Sequence, residues 1–390
     1  MKIEVVEPSS VGVDDGALTR LREGFTNDVA RGRHFGGTLL LARRGGVVLH
    51  EGIGYLDAEK KRSATTDALY CNMSLSKAYV AGMVLQLIDQ GKLSLSTRIA
   101  DIIPEYGVRG KGATEIWHLM NHTAGTWSGF VPPPPLAMSD TFNMERMVAA
   151  IASLSVAFHP GSQVCYSPAA GHILLGEIVQ RITGRGFAEV TRERLFEPLG
   201  MTRARYGLDP EDPNHVRICM VDHNPGSASI DVMEGLNELM RSGRCLPGGS
   251  AFATAYDVFR FAEMQRQGGS IDGVRFLSPA LVEYATRNST GSLSNTFWDF
   301  SRIDRGISDF PANFTLFGGY ARGSGHYLTP LGYTASPSSY GAVGSGSTMY
   351  LVDPKREMVF VFLSAGLTEG LGHFQDICRL ADLAIAACDA

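Results

Sequence analysis

The stretch Cys71-Asn72-Met73-Ser74-Leu75-Ser76-Lys77 decides how the rest of the chain is read. It leads into a run where Val80, Met83, Val84, Leu85, Leu87 and Ile88 leave almost no polar face before Gly91. Such a run predicts a helix from Ser74 to Gln90, buried on most sides and stopped by the glycine. Ser74 and Lys77 stand three apart at its start, so they share a face and can touch. A serine hydroxyl is a poor nucleophile until a neighbouring base takes its proton, and a lysine serves if burial or nearby positive charge lowers its pKa. The helix start adds backbone N–H donors and a positive dipole end, both favourable to the oxyanion that forms on attack. The competing reading is a capping serine beside a solvated lysine. Against it, no further charge follows Lys77 until Asp89, which a solvated face would not show. Ser76 is adjacent to Lys77 and would point to a different face.

Outward from this helix the pattern changes twice. On the N-terminal side, Leu18, Leu21, Phe25 and Val29 recur at helical spacing between Asp14, a capping residue, and Gly32. Two β-prone runs follow, 37–42 and 47–53, and Arg43-Arg44-Gly45-Gly46 between them predicts a hairpin. On the C-terminal side, helical signals at 115–120, 144–154 and 170–182 are broken by turn-rich stretches such as Val131-Pro132-Pro133-Pro134-Pro135. Strand signals return at 347–352 and 358–364, and a helix with Phe374, Ile377, Leu380 and Leu383 on one side closes the chain. Since strands lie at both ends, the economical plan is one sheet built from both termini with a helical lobe inserted between them.

Composition narrows the function. The 390 residues carry 35 Lys+Arg against 40 Asp+Glu, a net charge of −5 with no basic stripe, so nucleic acid is not expected as a partner. No apolar run is long enough to span a bilayer, and Glu4 and Glu7 interrupt the place where a secretion signal would need apolar sequence. The expectation is a cytoplasmic protein without membrane partners. Six scattered cysteines without a C-x-x-C pair suggest neither a zinc site nor a disulfide framework. Asn72-Met73-Ser74 and Asn121-His122-Thr123 fit the glycosylation pattern but are taken as chance matches in such a protein. His118 and His122 are spaced to share a metal on a helix, yet no third ligand suggests itself, so neither metal nor cofactor is expected.

The run from Leu69 to Gly82 resembles the S-x-x-K box of the serine β-lactamase and penicillin-binding protein superfamily. Further landmarks follow in that family's order. Gly91-Lys92-Leu93-Ser94-Leu95 is similar to "GKLxL", and His118-Leu119-Met120-Asn121-His122-Thr123-Ala124-Gly125 to "HLLxHTSG". Phe158-His159-Pro160-Gly161 with Tyr166-Ser167-Pro168 is similar to "PG…YSN", and the segment ending Pro198-Leu199-Gly200-Met201 to "PLGM". The likeness extends to class C β-lactamases, family VIII carboxylesterases and related acyltransferases. It implies a mixed α/β, β-lactamase-like fold, with an antiparallel sheet flanked by helices formed by 1–70 and 240–390 and a mainly helical lobe at 71–239. It also implies that Tyr166 is the third catalytic residue, relaying protons between Ser74, Lys77 and the leaving group; a phenol near an ammonium has the chemistry for that.

The chain departs from the family at the third box. Tyr340-Gly341-Ala342-Val343-Gly344-Ser345 aligns with a segment usually reading K-T-G or H-x-G, leaving Ala342 where a cation commonly helps hold a β-lactam or peptide carboxylate. Pro168 stands where an Asn is usual. Both changes point away from polar peptide substrates. The small Gly344 lets an edge strand approach substrate, and the backbone N–H groups of Ser74 and Ser345 form the implied oxyanion hole. Substrate contacts are expected from Ala342, Val343 and Gly344. Trp127 and Phe130 join them if the proline-rich loop is an acyl pocket rather than a stiff brace. Arg322 and His326, two potential substitutes for the missing cation, are read as surface residues.

The expected protein is therefore a serine hydrolase acting through an acyl-enzyme on a small-molecule ester or amide, foremost an esterase for neutral or apolar acyl groups. Acyl transfer to an amine or alcohol, β-lactamase, D-aminopeptidase or D,D-peptidase action, and an inert binding or scaffold role are the alternatives, and homo-oligomerisation stays open. No G-x-S-x-G elbow occurs, which removes the α/β-hydrolase route to the same chemistry.

Overall fold

The computed structural model describes residues 4–209, 211–221, 235–238, 240, 244–345, 348–368 and 370–389. Its strands are β1 Gly36–Arg43, β2 Gly46–Gly54, β3 Tyr70–Cys71, β4 Arg205–Tyr206, β5 Ala251–Ala253, β6 Ser270–Ile271, β7 Val274–Arg275, β8 Tyr320–Ala321, β9 Tyr340–Gly344, β10 Thr348–Asp353 and β11 Met358–Ala365. The main sheet has the order β2-β1-β11-β10-β9-β8, and its recorded pairings are antiparallel. The N-terminal hairpin thus docks directly on the C-terminal strand, Gly36 opposite Ala365 and Arg43 opposite Met358. Arg44 (φ 52°) and Gly45 (φ 82°) make the tight turn between β1 and β2, a left-handed pair whose twist suits a two-residue hairpin.

The helices are α1 Asp15–Ala30, α2 Ser76–Asp89, α3 Ile116–Met120, α4 Met144–Ser153, α5 Ala170–Thr183, α6 Phe187–Thr191, α7 Ala255–Arg266, α8 Pro279–Ala285, α9 Asp299–Asp304 and α10 Gly372–Ala387. Asp14 caps α1 through the Ala17 N–H, and Gly32 (φ 72°) follows its end. Both faces of the sheet are covered, which explains why its strands read as nearly continuous apolar runs. Leu39, Leu41, Phe360 and Phe362 face one core with α1 and α10, while Leu40, Ala42, Val361 and Leu363 face another shared with α2, α5 and α7. Eleven of the fourteen residues of α2 are buried, as its sequence predicts.

Two expectations are corrected. The helix carrying His118 ends at Met120, and His122 sits beyond it in a left-handed conformation (φ 63°). The two histidines are therefore not helical neighbours. His118 Nδ1 accepts the Glu115 N–H as a cap, and no group of three metal-ligating side chains occurs among the described residues. Arg322 is not a surface residue: it is 5% exposed and donates to the carbonyls of Gly323, Gly325, Gly332 and Tyr333. Its charge is used to hold the loop that follows β8; His326 is exposed, stacked on Tyr333.

Candidate active site

Asn72 fastens the segment that presents the serine. Its N–H donates to Ala251 O, its side-chain oxygen accepts from Tyr79 OH at 2.8 Å, and its carbonyl accepts from Thr348 Oγ1. Asn72 and Asn121 are fully buried, so neither glycosylation match is accessible. Met73 follows with φ 47°, a region that costs a non-glycine residue energy, and the chain then turns through the short helix Met73–Leu75 into α2. Ser74 is held at this elbow, half-buried, while Ser76 is fully buried with its hydroxyl accepting the Ala251 N–H. That contact removes Ser76 from any nucleophilic role.

Lys77 Nζ donates to Ser74 Oγ at 3.0 Å and to the Gly248 carbonyl at 3.1 Å, and the lysine is 2% exposed. Tyr166 OH donates to the same Ser74 Oγ at 2.7 Å, and Lys77 Nζ lies 5.1 Å from the centre of its ring. Three residues separated along the chain by up to 92 positions thus converge on one oxygen atom. Tyr166 is seated by its backbone N–H on Asn295 Oδ1 and by ring contacts with His122 (4.6 Å), Phe297 (5.4 Å) and Phe314 (6.1 Å).

The strand β9 reaches the site through Gly344. A Cβ there would lie 2.2 Å from Asn72 O and 2.3 Å from Thr348 Oγ1, so only glycine permits this approach of β9 to the elbow. Among the described residues, 342–344 have no strand pairing on their outer side, since β8 pairs only with Tyr340 and Gly341. Ala342 is fully buried in one core and Val343 nearly so in the other. Their side chains are packing residues, so the edge these two residues present is backbone.

The family profile described as Beta-lactamase matches residues 21–384. The chain belongs to the β-lactamase family. Among its relatives, penicillin-binding protein 4 of Amycolatopsis lactamdurans is 31% identical over 261 residues, which cover 65% of this chain and 63% of that one. Esterase EstB of Burkholderia gladioli is 26% identical over 341 residues, covering 78% and 84%. A solved family VIII carboxylesterase superposes with a TM-score of 0.74 at 20% identity, over 97% of this chain and 99% of its own. The fold is shared closely with this carboxylesterase even though one residue in five is identical.

Around Ser74, Lys77 and Tyr166, two residues matter that no sequence motif identified. Gly248, in the turn Pro247-Gly248-Gly249, supplies the second acceptor for Lys77, and a Cβ there would press on His172 at 2.7 Å; the Pro-Gly-Gly cluster was the available signal. Asn295 positions Tyr166 from a segment with no sequence signature of its own. Trp127 borders the site through its carbonyl, which accepts Ser167 Oγ, and its indole N–H closes the proline-rich loop on Val131 O. Phe130 is 63% exposed, with its ring 5.4 Å from Phe297.

Two imidazoles lie against this centre. His122 Nδ1 accepts the Ser167 N–H, which keeps its ring in the neutral form, and neither nitrogen of His172 has a hydrogen-bond partner among the described residues. Burial, and after it the Lys77 charge, holds both well below the ordinary histidine pKa of 6.5. Burial likewise pushes His50 and His373 down to about 4 and lowers His118. With folded-state values below the unfolded ones, the unfolded chain binds the extra protons, so stability is complete above pH 6.5 and drains away as the pH falls beneath it. Each ring contributes up to about 1.4 kcal/mol per pH unit. The urea midpoint should be flat just above neutrality and fall steeply below, and His172→Phe should lessen that slope by about one proton. A midpoint independent of pH over this range would contradict the buried neutral rings.

Proposed function

We propose that this protein is a serine hydrolase working through an acyl-enzyme, foremost an esterase for neutral or apolar acyl esters. The observation that carries this reading is the convergence of Lys77 Nζ at 3.0 Å and Tyr166 OH at 2.7 Å on Ser74 Oγ. Ser74 Oγ attacks the ester carbonyl while its proton passes to the Lys77–Tyr166 pair. The C–O bond to the alcohol then breaks, and Tyr166 returns the proton to the departing oxygen. Water, activated by the same pair, releases the acid in a second round of the same transfers. The backbone N–H groups of Ser74 and Ser345 take the oxyanion, a role supported by the approach of Gly344 to Asn72 and Met73.

Esterase action is favoured over β-lactamase or peptidase action by the absence of charge at this strand. Ala342 is a buried methyl group, and the Arg322 guanidinium is committed to four carbonyls. The relative named an esterase, 26% identical over most of both chains, agrees with this reading. We place the site at the junction of a sheet lobe, 1–70 with 240–390, and a helical lobe, 71–239. A reducing, cytoplasmic setting is supported by the unpaired thiols of Cys71, Cys165, Cys245, Cys378 and Cys388, and no described helix is long and apolar enough to cross a membrane. A fluorophosphonate probe tests the central claim. Peptide mapping should find one adduct, on Ser74; folded protein that fails to label, or labels elsewhere, would remove the acyl-enzyme reading.

A further inference from the structure

The Tyr166 ring is the start of an apolar stripe that leads away from the reacting atoms. Phe297 packs edge-on against it at 5.4 Å, and Phe130 packs on Phe297 at the same distance. Phe297 belongs to the helical turn Thr296–Trp298, which runs directly into α9. Trp298 contacts Phe374 and is fastened to the body of the protein. Residues three apart in such a turn lie on one side. Phe300 and Ile303 therefore continue the line of Phe297 outward, and they are 83% and 70% exposed. Val131 extends the same surface beside Phe130, 47% exposed. Large side chains clustered in the open like this mark a binding surface.

The surroundings restrict what binds. Arg302 pairs with Asp299 and Asp309, and the chain carries a net charge of −5, so the stripe is not a seat for phosphate or an anionic lipid surface. An uncharged, extended hydrocarbon fits it. Because the stripe begins at the residue that returns a proton to the departing oxygen, it flanks the alcohol side of the ester. We infer that Phe297, Phe300 and Ile303, with Phe130, bind the alkyl chain of the alcohol portion, making esters of long-chain apolar alcohols the preferred substrates. In acylation the Ser74 Oγ–acyl bond forms, the ester C–O bond breaks, and the proton taken from Ser74 leaves with the alkoxide as free alcohol lying on the stripe. The inference rests on the acyl-enzyme reading above.

Two isomeric esters test it: octyl acetate carries its chain on the alcohol, methyl nonanoate on the acyl group. Turnover of each, below its micellar concentration, is compared with that of methyl acetate. The wild-type protein should favour octyl acetate, and the Phe300→Ser/Ile303→Ser double variant should lower the octyl-to-methyl acetate ratio of kcat/KM roughly tenfold, the weight of about two methylenes returned to water. Phe300→Leu should keep most of the preference. A chain-length effect confined to methyl nonanoate would move the stripe to the acyl side and overturn the inference, as would a ratio unchanged in the double variant. Loss of sedimentation with phosphatidylcholine vesicles at an unchanged ratio would make the stripe a membrane contact and overturn it too. Methyl acetate turnover that survives Ser74→Ala would instead sink the underlying reading.

Discussion

Replacing Ser74 with alanine should lower ester turnover by about 10⁴-fold or more and abolish the initial burst of one product per enzyme molecule. The size follows from the geometry, because Lys77 and Tyr166 both donate to Ser74 Oγ. Ser76, the nearest rival hydroxyl, is buried and engaged by the Ala251 N–H. Folding should be little disturbed, since the side chain removed is small and half-buried and the elbow is held by Asn72. The cost of the lost hydrogen bonds is on the order of 1 kcal/mol each. Stopped-flow release of nitrophenol from nitrophenyl acetate, with a thermal melt as control, reads both quantities. A variant that keeps its burst would remove Ser74 from the mechanism.

Lys77→Met should separate activity from stability. The ammonium is 2% exposed, and its two hydrogen-bond acceptors, Ser74 Oγ and the Gly248 carbonyl, are neutral. Keeping a charge there costs desolvation that dipoles repay only in part, whereas methionine fills similar space without that cost. The melting temperature should therefore hold or rise while turnover falls by about 10³-fold, within the range expected when a group positioned for proton transfer is removed. A stable protein with wild-type turnover would assign proton transfer to Tyr166 alone. A collapse in stability would show instead that the lysine is a structural strut.

Much of the fold was legible in contiguous residues. The α1 periodicity, the hairpin turn at Arg44 and Gly45, the apolar α2 and the closing α10 all stand where spacing and turn chemistry put them. The ordered motifs anticipated a family that the profile match over 21–384 establishes. Side-chain orientation was less legible. An edge strand at Gly344 follows from family likeness, but that packing on both faces of the sheet buries the Ala342 and Val343 side chains does not. Arg322 had no flanking signal to announce that four backbone carbonyls would gather round it. His118 and His122 kept helical spacing in the sequence although the helix stops between them.

Contiguous residues set the order of the longer elements and put Ser74 and Lys77 on one helical face, because periodicity and spacing act between near neighbours along the chain. The third partner, Tyr166, could be named only by family likeness; that its hydroxyl comes within 2.7 Å of Ser74 Oγ was decided by the way α5, the loop before it and Asn295 pack. The second acceptor of Lys77 comes from Gly248, 171 residues away, and the apolar stripe at Phe297, Phe300 and Ile303 has meaning only because Phe297 lies against Tyr166. Contacts of this kind depend on close packing between segments distant in sequence, and no local pattern encodes which side chains such packing will bring together.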